Sequence, residues 1–169
     1  PWAGLPFLVH SATDAGLPGR VLDHPVLSER GVRWAVHHAA RDLVPAAADD
    51  PALLALSGLD RDRGGALLRE PPPDRAERAA LLRLALAWRR RTAARLRDAA
   101  GARDARGPGG DRQLLLGLVT RPGRVQAAPG WIVVLLPAES VDVAVRRAGL
   151  DLDLGWVPWL GTVVEFRYE

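Results

Sequence analysis

The sequence feature that most constrains the fold is a strand–helix–strand pattern in the last forty residues. Residues 131–136 are apolar at every position and lie between Gly130 and Pro137, which is typical of a strand covered on both faces. Residues 162–169 alternate between apolar and polar side chains, with the period of a half-buried strand. The pattern therefore predicts two strands of one sheet, joined by a connection that contains a helix.

Residues 140–149 are predicted to form that helix. Ser140 is a suitable N-cap, Arg146 and Arg147 fall in the last turn, and Gly149 follows as a stop. Apolar side chains recur at helical spacing and would pack on a sheet; they are Val141, Ala144, Val145 and Ala148. No catalytic motif accompanies them, so this part of the chain predicts shape rather than chemistry.

The first hundred residues are predicted to be helical. Four helices are expected, over residues 2–15, 28–44, 51–57 and 74–100. A turn at residues 16–19 should end the first helix, and Ser28 should cap the second. Asp74 is the expected N-cap of the longest helix, whose apolar stripe includes Trp88. These helices need a sheet or one another to bury their apolar faces.

Two stretches rich in Arg, Gly and Pro, residues 61–73 and 101–112, are predicted to be surface connectors. Beyond them, residues 114–119 predict a short strand, and residues 125–127 a strand that returns after a turn. We therefore expect a single α+β domain over residues 1–169, with N-terminal helices and one long helix packed with a small, mainly antiparallel C-terminal sheet of three or four strands. Its parts would be a helical part (1–60), the long helix (74–100) and a β-rich part (113–169).

Composition narrows the function classes. The sequence has no cysteine, which excludes disulfides and thiolate sites, and it has no apolar run of roughly 18 residues that would suggest a membrane span or signal peptide. A cytoplasmic location is therefore expected. All 23 basic residues are arginine, but the net charge is only +3, so the high pI is a weak argument for a nucleic-acid partner. The absence of methionine and the start at Pro1 favour a piece of a longer protein.

Five residues are the candidates for catalysis, namely His37, His38, Asp42, Asp151 and Asp153. The histidines lie mid-helix without the HExxH spacing of a zinc site. The two aspartates alternate with leucines, and a half-buried strand or loop with the leucines inward explains that pattern. No phosphate-binding or dinucleotide-binding glycine motif is present. We therefore predict no catalytic residue, no metal and no cofactor.

Two groups of residues are candidates for interactions. The C-terminal half of the long helix is crowded with arginines, including Arg89, Arg90, Arg91 and Arg95. These suit a solvated or partner-facing helix, or a nucleic-acid surface that would ideally also carry aromatic side chains. Trp156 and Trp159 lie in a loop-like stretch, where a tryptophan either plugs the core or anchors an interface.

Several short motifs resemble the tape-measure proteins of contractile injection systems, which accompany phage-tail-like particles in bacteria. The N-terminal motifs are Ala3-Gly4-Leu5-Pro6-Phe7-Leu8, Gly16-Leu17, Arg33-Trp34-Ala35-Val36-His37-His38-Ala39-Ala40 and the acidic step into an apolar helix at Asp49-Asp50-Pro51-Ala52-Leu53-Leu54-Ala55-Leu56. The C-terminal motifs are Gly130-Trp131 and Trp159-Leu160-Gly161, each next to a strand. Together they cover about half of the chain.

The resemblance implies a non-enzymatic assembly module that docks on protein components of such a particle. A compact domain of this length has a radius of gyration of roughly 15 Å, too short to measure a tube, so a globular end or accessory domain is expected. The resemblance carries over no catalytic residue. Two alternatives stay open, an arginine-rich nucleic-acid adaptor, although nucleic acid is not the expected partner, and an enzyme of unknown type.

Overall fold

The computed structural model describes residues 1–101 and 108–169, and within them the chain forms eight α-helices and four β-strands. In chain order the elements are α1 (Leu8–Asp14), α2 (Leu17–Leu22), α3 (Val32–Leu43), α4 (Pro51–Leu56), α5 (Arg61–Leu68), α6 (Arg75–Ala100), α7 (Pro108–Val119), β1 (Arg124–Ala128), β2 (Trp131–Leu136), α8 (Val143–Arg147), β3 (Gly155–Val157) and β4 (Thr162–Tyr168). Short 3₁₀ turns span Leu5–Phe7 and Ala138–Ser140. The predicted α+β class is confirmed.

The four strands form one mixed sheet in the order β1-β2-β4-β3. β2 and β4 are parallel neighbours, and each pairs antiparallel with the edge strand on its other side. The connection between β2 and β4 contains α8, as a parallel pair requires a long crossover. The prediction that the strands beginning at Trp131 and Thr162 share a sheet is therefore confirmed.

One face of the sheet packs on the helices and forms the core with them. The side chains of β2 and β4 that point to this inner face are almost fully buried; they are Ile132, Val134, Leu136, Val164 and Phe166. Residues 3–9 are buried as well, and the Phe7 and Phe166 rings lie 4.9 Å apart between centroids. The N-terminal segment therefore lies between the sheet and the helices. None of the helices in the described ranges is long and apolar enough to span a bilayer.

The long helix α6 has the ends that the sequence predicts. The N–H of Glu77 donates to Asp74 at 2.8 Å, and the N–H of Asp74 donates back to the Glu77 carboxylate at 2.8 Å, which is a capping box. Gly101 ends the helix in the left-handed region at φ +70°. Trp88 is fully buried. Propensity, capping and packing agree along this helix.

Two predictions about the middle of the chain are wrong. Residues 114–119 belong to α7 instead of a strand, because Leu115, Leu118 and Val119 lie on one helical face and pack into the core. Of the predicted connector 101–112, residues 108–112 form the start of α7, while 102–107 lie outside the described residues. Most of the other connector, 61–73, is α5, which begins where the Asp60 carboxylate accepts the N–H of Arg63 at 2.8 Å.

Three predicted helix boundaries are also wrong, because the helices begin at other residues. Gly31, at φ +79°, precedes α3, so Ser28 is not its N-cap. Gly16 adopts the left-handed region and α2 follows it directly, so residues 16–19 are not simply a turn. Asp142 caps α8 by accepting the N–H groups of Ala144 and Val145, whereas the Ser140 hydroxyl donates to the Pro137 carbonyl.

Candidate functional site

The sheet face opposite the helices carries a line of apolar side chains, which we call the tryptophan row. The strand register places Ala128, Trp131, Val163 and Trp156 beside one another across β1, β2, β4 and β3. Trp131 is 46% exposed and Trp156 is 60% exposed, although large aromatic side chains are usually buried. Val163 lies between them and is half-buried. The row is therefore an apolar surface that continues across the whole sheet.

The connection between β3 and β4 holds Trp156 in place. Trp159 is half-buried, and its Nε1 donates to the Thr13 hydroxyl at 3.2 Å, so this tryptophan covers the core and ties the connection to α1. The Arg33 guanidinium donates to the Leu160 carbonyl, and Leu160 itself is fully buried. Of the two predicted candidates, Trp159 therefore acts as a plug and Trp156 is the exposed one.

The same sheet face becomes polar away from the tryptophan row. Two residues further along the strands, Gln126 and Glu165 flank Val133; two residues beyond that, Arg124 and Arg167 flank Leu135. Val133 and Leu135 are each only 9% exposed. Glu165 and Arg167 form an ion pair at 2.8 Å. Residues two positions apart along a strand lie roughly 7 Å apart. The outer face of the sheet therefore has the tryptophan row at one end of the strands and charged side chains at the other end.

The arginine-rich end of α6 divides into exposed and engaged side chains. Arg90 and Arg91 are exposed, and Arg89 is partly buried. Arg95 instead joins three elements, since its Nε donates to the Ala148 carbonyl at 2.6 Å and its Nη1 to Asp14. Arg97 pairs with Asp111 of α7. Of the four predicted arginines, Arg95 is therefore held by structural contacts, whereas Arg90 and Arg91 stay exposed.

The candidate catalytic residues of α3 lie in a packed environment. His37 is fully buried, and its Nε2 lies 2.8 Å from the Ala48 carbonyl. The His38 ring contacts the Trp34 ring in a tilted arrangement, with centroids 4.3 Å apart, while Asp42 is exposed. Burial lowers the pKa of both histidines, to about 4 for His38, where the nearby His37 and Arg41 add to the effect. Both histidines thus have structural contacts, although Nδ1 of His37 is buried without a hydrogen-bond partner in the described part of the chain.

The depressed pKa of His38 leads to a prediction about pH. Because the folded-state pKa lies below the unfolded value of about 6.5, the unfolded chain binds more protons as the pH falls. We expect the free energy of unfolding to decrease from pH 6.5 to about 4, and His38→Gln to flatten that slope. Urea unfolding at several pH values measures it, with His24→Gln, in the loop after α2, as the control. Equal slopes for wild type and His38→Gln would contradict the prediction.

The candidate aspartates near the C-terminus are structural, and the predicted burial of the leucines holds for Leu150 but not for Leu152. Asp151 is the buried residue and Leu152 is 50% exposed. The Asp151 carboxylate accepts from the Tyr168 hydroxyl at 2.9 Å and from Arg146 Nε at 3.1 Å, which turns it inward. Burial and this hydrogen bond raise the pKa of Tyr168. Asp153 accepts the N–H of Phe166 at 2.7 Å. Polar partners therefore override the apolar alternation.

Metal binding has no visible support in the described part of the chain. Residues 1–101 and 108–169 contain no group of three or more His, Asp or Glu side chains arranged to hold a metal ion. The histidines of α3 and the aspartates after α8 lie on different elements and make separate contacts. The five candidate catalytic residues are thus not brought together in one site.

A groove of about 570 Å³ lies between α6, α7 and α8, and Arg121 forms part of its wall. The guanidinium of Arg121 donates to the Leu118 carbonyl at 2.9 Å, to the Ser140 carbonyl at 2.7 Å and to Asp142 at 3.0 Å. This arrangement ties the end of α7 to the start of α8. Arg121 thus has a structural role that explains its position without a ligand.

Sequence reasoning missed Trp131 as an interaction residue. Its position at the start of an apolar run suggested a covered strand; residues 132–136 are indeed buried, whereas Trp131 itself is 46% exposed. The sequence did contain one signal. Successive side chains of a strand point to opposite faces, so Trp131 lies on the face opposite to the inward-pointing Ile132. Its alignment with Trp156 depends on register across three strands and has no local signal.

Comparisons with known proteins identify no relative. The chain gives no significant match to a protein-family model, to a curated protein sequence or to a solved structure.

Proposed function

We propose that this chain is a non-enzymatic interaction and assembly module that docks on another protein through the tryptophan row. The observation that carries the proposal is the pair of exposed tryptophans, Trp131 and Trp156, aligned on one sheet face. Tryptophan is enriched among the residues that dominate binding energies, because it buries a large area at a low cost in conformational entropy. Because Trp159 and Leu160 fix the connection between β3 and β4, Trp156 is already held in position before a partner binds.

The more specific part of the proposal is that the partners are protein components of a contractile injection system. It is supported by the motif resemblance and by contacts between the motifs that carry it. Arg33 of one motif donates to Leu160 of another. Phe7 of the first motif packs on Phe166, in the strand that follows the last motif. The motifs therefore form one structural unit. The cytoplasm, expected from the cysteine-free composition, is the proposed place of action.

The two alternatives have weaker support. A nucleic-acid adaptor would use the arginines of α6, but Arg95 is held by Asp14 and by the Ala148 carbonyl. An enzyme would use the histidines of α3 and the aspartates after α8, but these two groups lie on different elements, and His37, Asp151 and Asp153 have structural partners. Trp131 and Trp156, by contrast, are largely exposed and aligned on one face.

Affinity purification from native expression tests the proposal. Tagged protein, expressed from its own gene neighbourhood, should recover sheath, tube, baseplate or associated ATPase proteins, identified by mass spectrometry. A hot-spot side chain is worth roughly 2 kcal/mol or more, so the double variant Trp131→Ser/Trp156→Ser should recover less than about one tenth as much. Far-UV circular dichroism verifies that the variant folds.

The matched control replaces two exposed apolar residues elsewhere, in Leu22→Ser/Val143→Ser, whose side chains are 58% and 63% exposed. This control should recover the same proteins as wild type. If the tryptophan variant recovers particle components at the wild-type level, the tryptophan row is not the docking surface. Recovery of no particle component by wild type would remove the proposed partners.

A further inference from the structure

The first strand of the sheet, β1, has a free edge. The sheet order places it at one side, where its ladder partner is β2. Within the described residues no hydrogen bond links the backbone of residues 124–128 to any element other than β2. In an antiparallel pair about half of the N–H and C=O groups of an edge strand point away from its partner. β1 therefore offers a row of backbone donors and acceptors to an added strand.

A groove runs beside this edge on the inner side of the sheet. It has a volume of about 290 Å³ and is lined by residues of β1, α4 and the start of α5. Its lining is mostly apolar and consists of Pro51, Leu54, Leu59, Arg61, Val125 and Ala127. Val125 and Ala127 are the β1 side chains that face the groove. A strand paired with β1 would direct alternate side chains into the same space.

The groove also has one charged side chain. Arg61 is exposed at the start of α5, and no ion pair involves it in the described part of the chain. The neighbouring Asp60 is already engaged, since it accepts from the Arg63 backbone and lies 3.7 Å from the Arg63 guanidinium. Arg61 is therefore available to a carboxylate on a bound segment.

The opposite edge of the sheet is less suitable. β3 has three residues, and Pro158, which follows directly, has no N–H to donate. β1 has five residues and lies next to the groove. The two requirements for strand addition, backbone groups for affinity and a pocket for alternate side chains, thus coincide at β1.

We propose that the β1 edge binds an extended segment of a partner protein as a fifth strand. The segment places an aliphatic side chain between Leu54 and Val125 and an acidic side chain next to Arg61. This site is distinct from the tryptophan row and does not depend on it. It adds a peptide-binding activity to a module whose other face docks on a folded surface.

Selection from a displayed library of random ten-residue peptides tests the inference. The protein is panned against the library in parallel with Ala127→Phe, which fills the groove. Wild type should enrich peptides that alternate β-branched or aliphatic residues with polar ones and contain an Asp or Glu, and Ala127→Phe should not. Absence of any enrichment over Ala127→Phe overturns the proposal.

Fluorescence anisotropy with the most enriched peptide then separates the contributions. Methylating every second backbone nitrogen of the peptide, on the edge that faces β1, removes its donors and should weaken binding at least tenfold. Methylating the nitrogens of the opposite edge is the control. Arg61→Glu should also weaken binding at least tenfold. Replacing the acidic residue of the peptide by lysine should restore binding to Arg61→Glu. Equal affinity for the two methylated peptides overturns strand addition. This comparison uses wild-type protein, so it holds even if Ala127→Phe does not fold.

Two further outcomes are decisive. Trp131→Ser/Trp156→Ser should bind the peptide with wild-type affinity, which keeps this result independent of the docking surface proposed above. Sedimentation velocity shows whether β1 pairs with β1 of a second copy instead. A concentration-dependent dimer that Ala127→Phe abolishes, and that the peptide does not dissociate, overturns the assignment to a partner segment.

Discussion

Replacing Trp88 by alanine is expected to lower the free energy of unfolding by about 3–5 kcal/mol, the usual range for emptying a large aromatic site. Trp88 has no exposed surface. Its Nε1 donates to the Leu8 carbonyl and to the Ser11 hydroxyl, both at 3.1 Å, and Thr92 donates to the same hydroxyl at 2.8 Å. The substitution therefore leaves a cavity and also disrupts a buried polar cluster that joins α6 to α1.

Equilibrium unfolding in urea measures this change. Trp156→Ala is the matched control, because it removes the same side chain from an exposed position, and its effect should stay within about 0.5 kcal/mol. Trp88→Phe should cost less than Trp88→Ala, since the benzene ring fills part of the cavity. A loss below about 1 kcal/mol for Trp88→Ala would contradict the packing of α6 against α1.

Replacing Gly4 by alanine is expected to destabilise the protein by about 3 kcal/mol, the upper end of the range for overpacking. A Cβ atom at this position would lie 2.4 Å from the Leu118 carbonyl oxygen and 2.9 Å from Val119 Cα. Both are backbone atoms of α7, and the Gly4 N–H is bonded to the Val119 carbonyl at 3.2 Å, so neither segment is free to shift. Gly4 has φ −80°, so close approach alone requires glycine here.

Gly117→Ala is the control for this prediction and should have the opposite sign. Gly117 lies in α7, and a Cβ atom there would meet no atom within 4 Å. Alanine in a helix is more stable than glycine by roughly 0.5–1 kcal/mol. Thermal unfolding of both variants gives the comparison. A Gly4→Ala variant as stable as wild type would show that the N-terminal segment does not lie against α7 as described.

The elements with strong local signals were predictable from the sequence. The capping pair Asp74 and Glu77 and the final Gly101 define α6 without any tertiary information. β2 is an apolar run between a glycine and a proline, and β4 alternates between apolar and polar side chains. Their membership of one sheet followed from the short helical connection between them. Local chemistry was sufficient in these cases.

Other features depend on contacts that no local pattern encodes. The run Leu114 to Leu116 is too short to distinguish a buried helix from a strand, and packing against α6 determines that it is helical. The burial of Asp151 depends on Tyr168 and Arg146, both of which lie outside the Leu-Asp-Leu-Asp-Leu stretch. In each case a partner from another element overrides the sequence pattern.

The candidate site was only partly predictable for a related reason. Trp156 was recognised as a possible anchor because a tryptophan in a loop is unusual. Trp131 was not, because its neighbours along the chain suggested burial. The tryptophan row exists only after β2, β4 and β3 are in register. The groove beside β1 likewise needs α4, which is separated from β1 in the sequence by α5, α6 and α7.

The contact between Phe7 and Phe166 joins the two ends of the sequence inside the core, and this has a consequence for biosynthesis. Residues 3–9 are buried, and Phe7 packs on β4, which the ribosome makes more than a hundred residues later. Until β4 has emerged, this apolar segment has no sheet to cover it, and closing so long a loop slows folding. Nascent chains that stop before β4 therefore expose this apolar segment to chaperones and proteases, and the core is completed only once β4 is available.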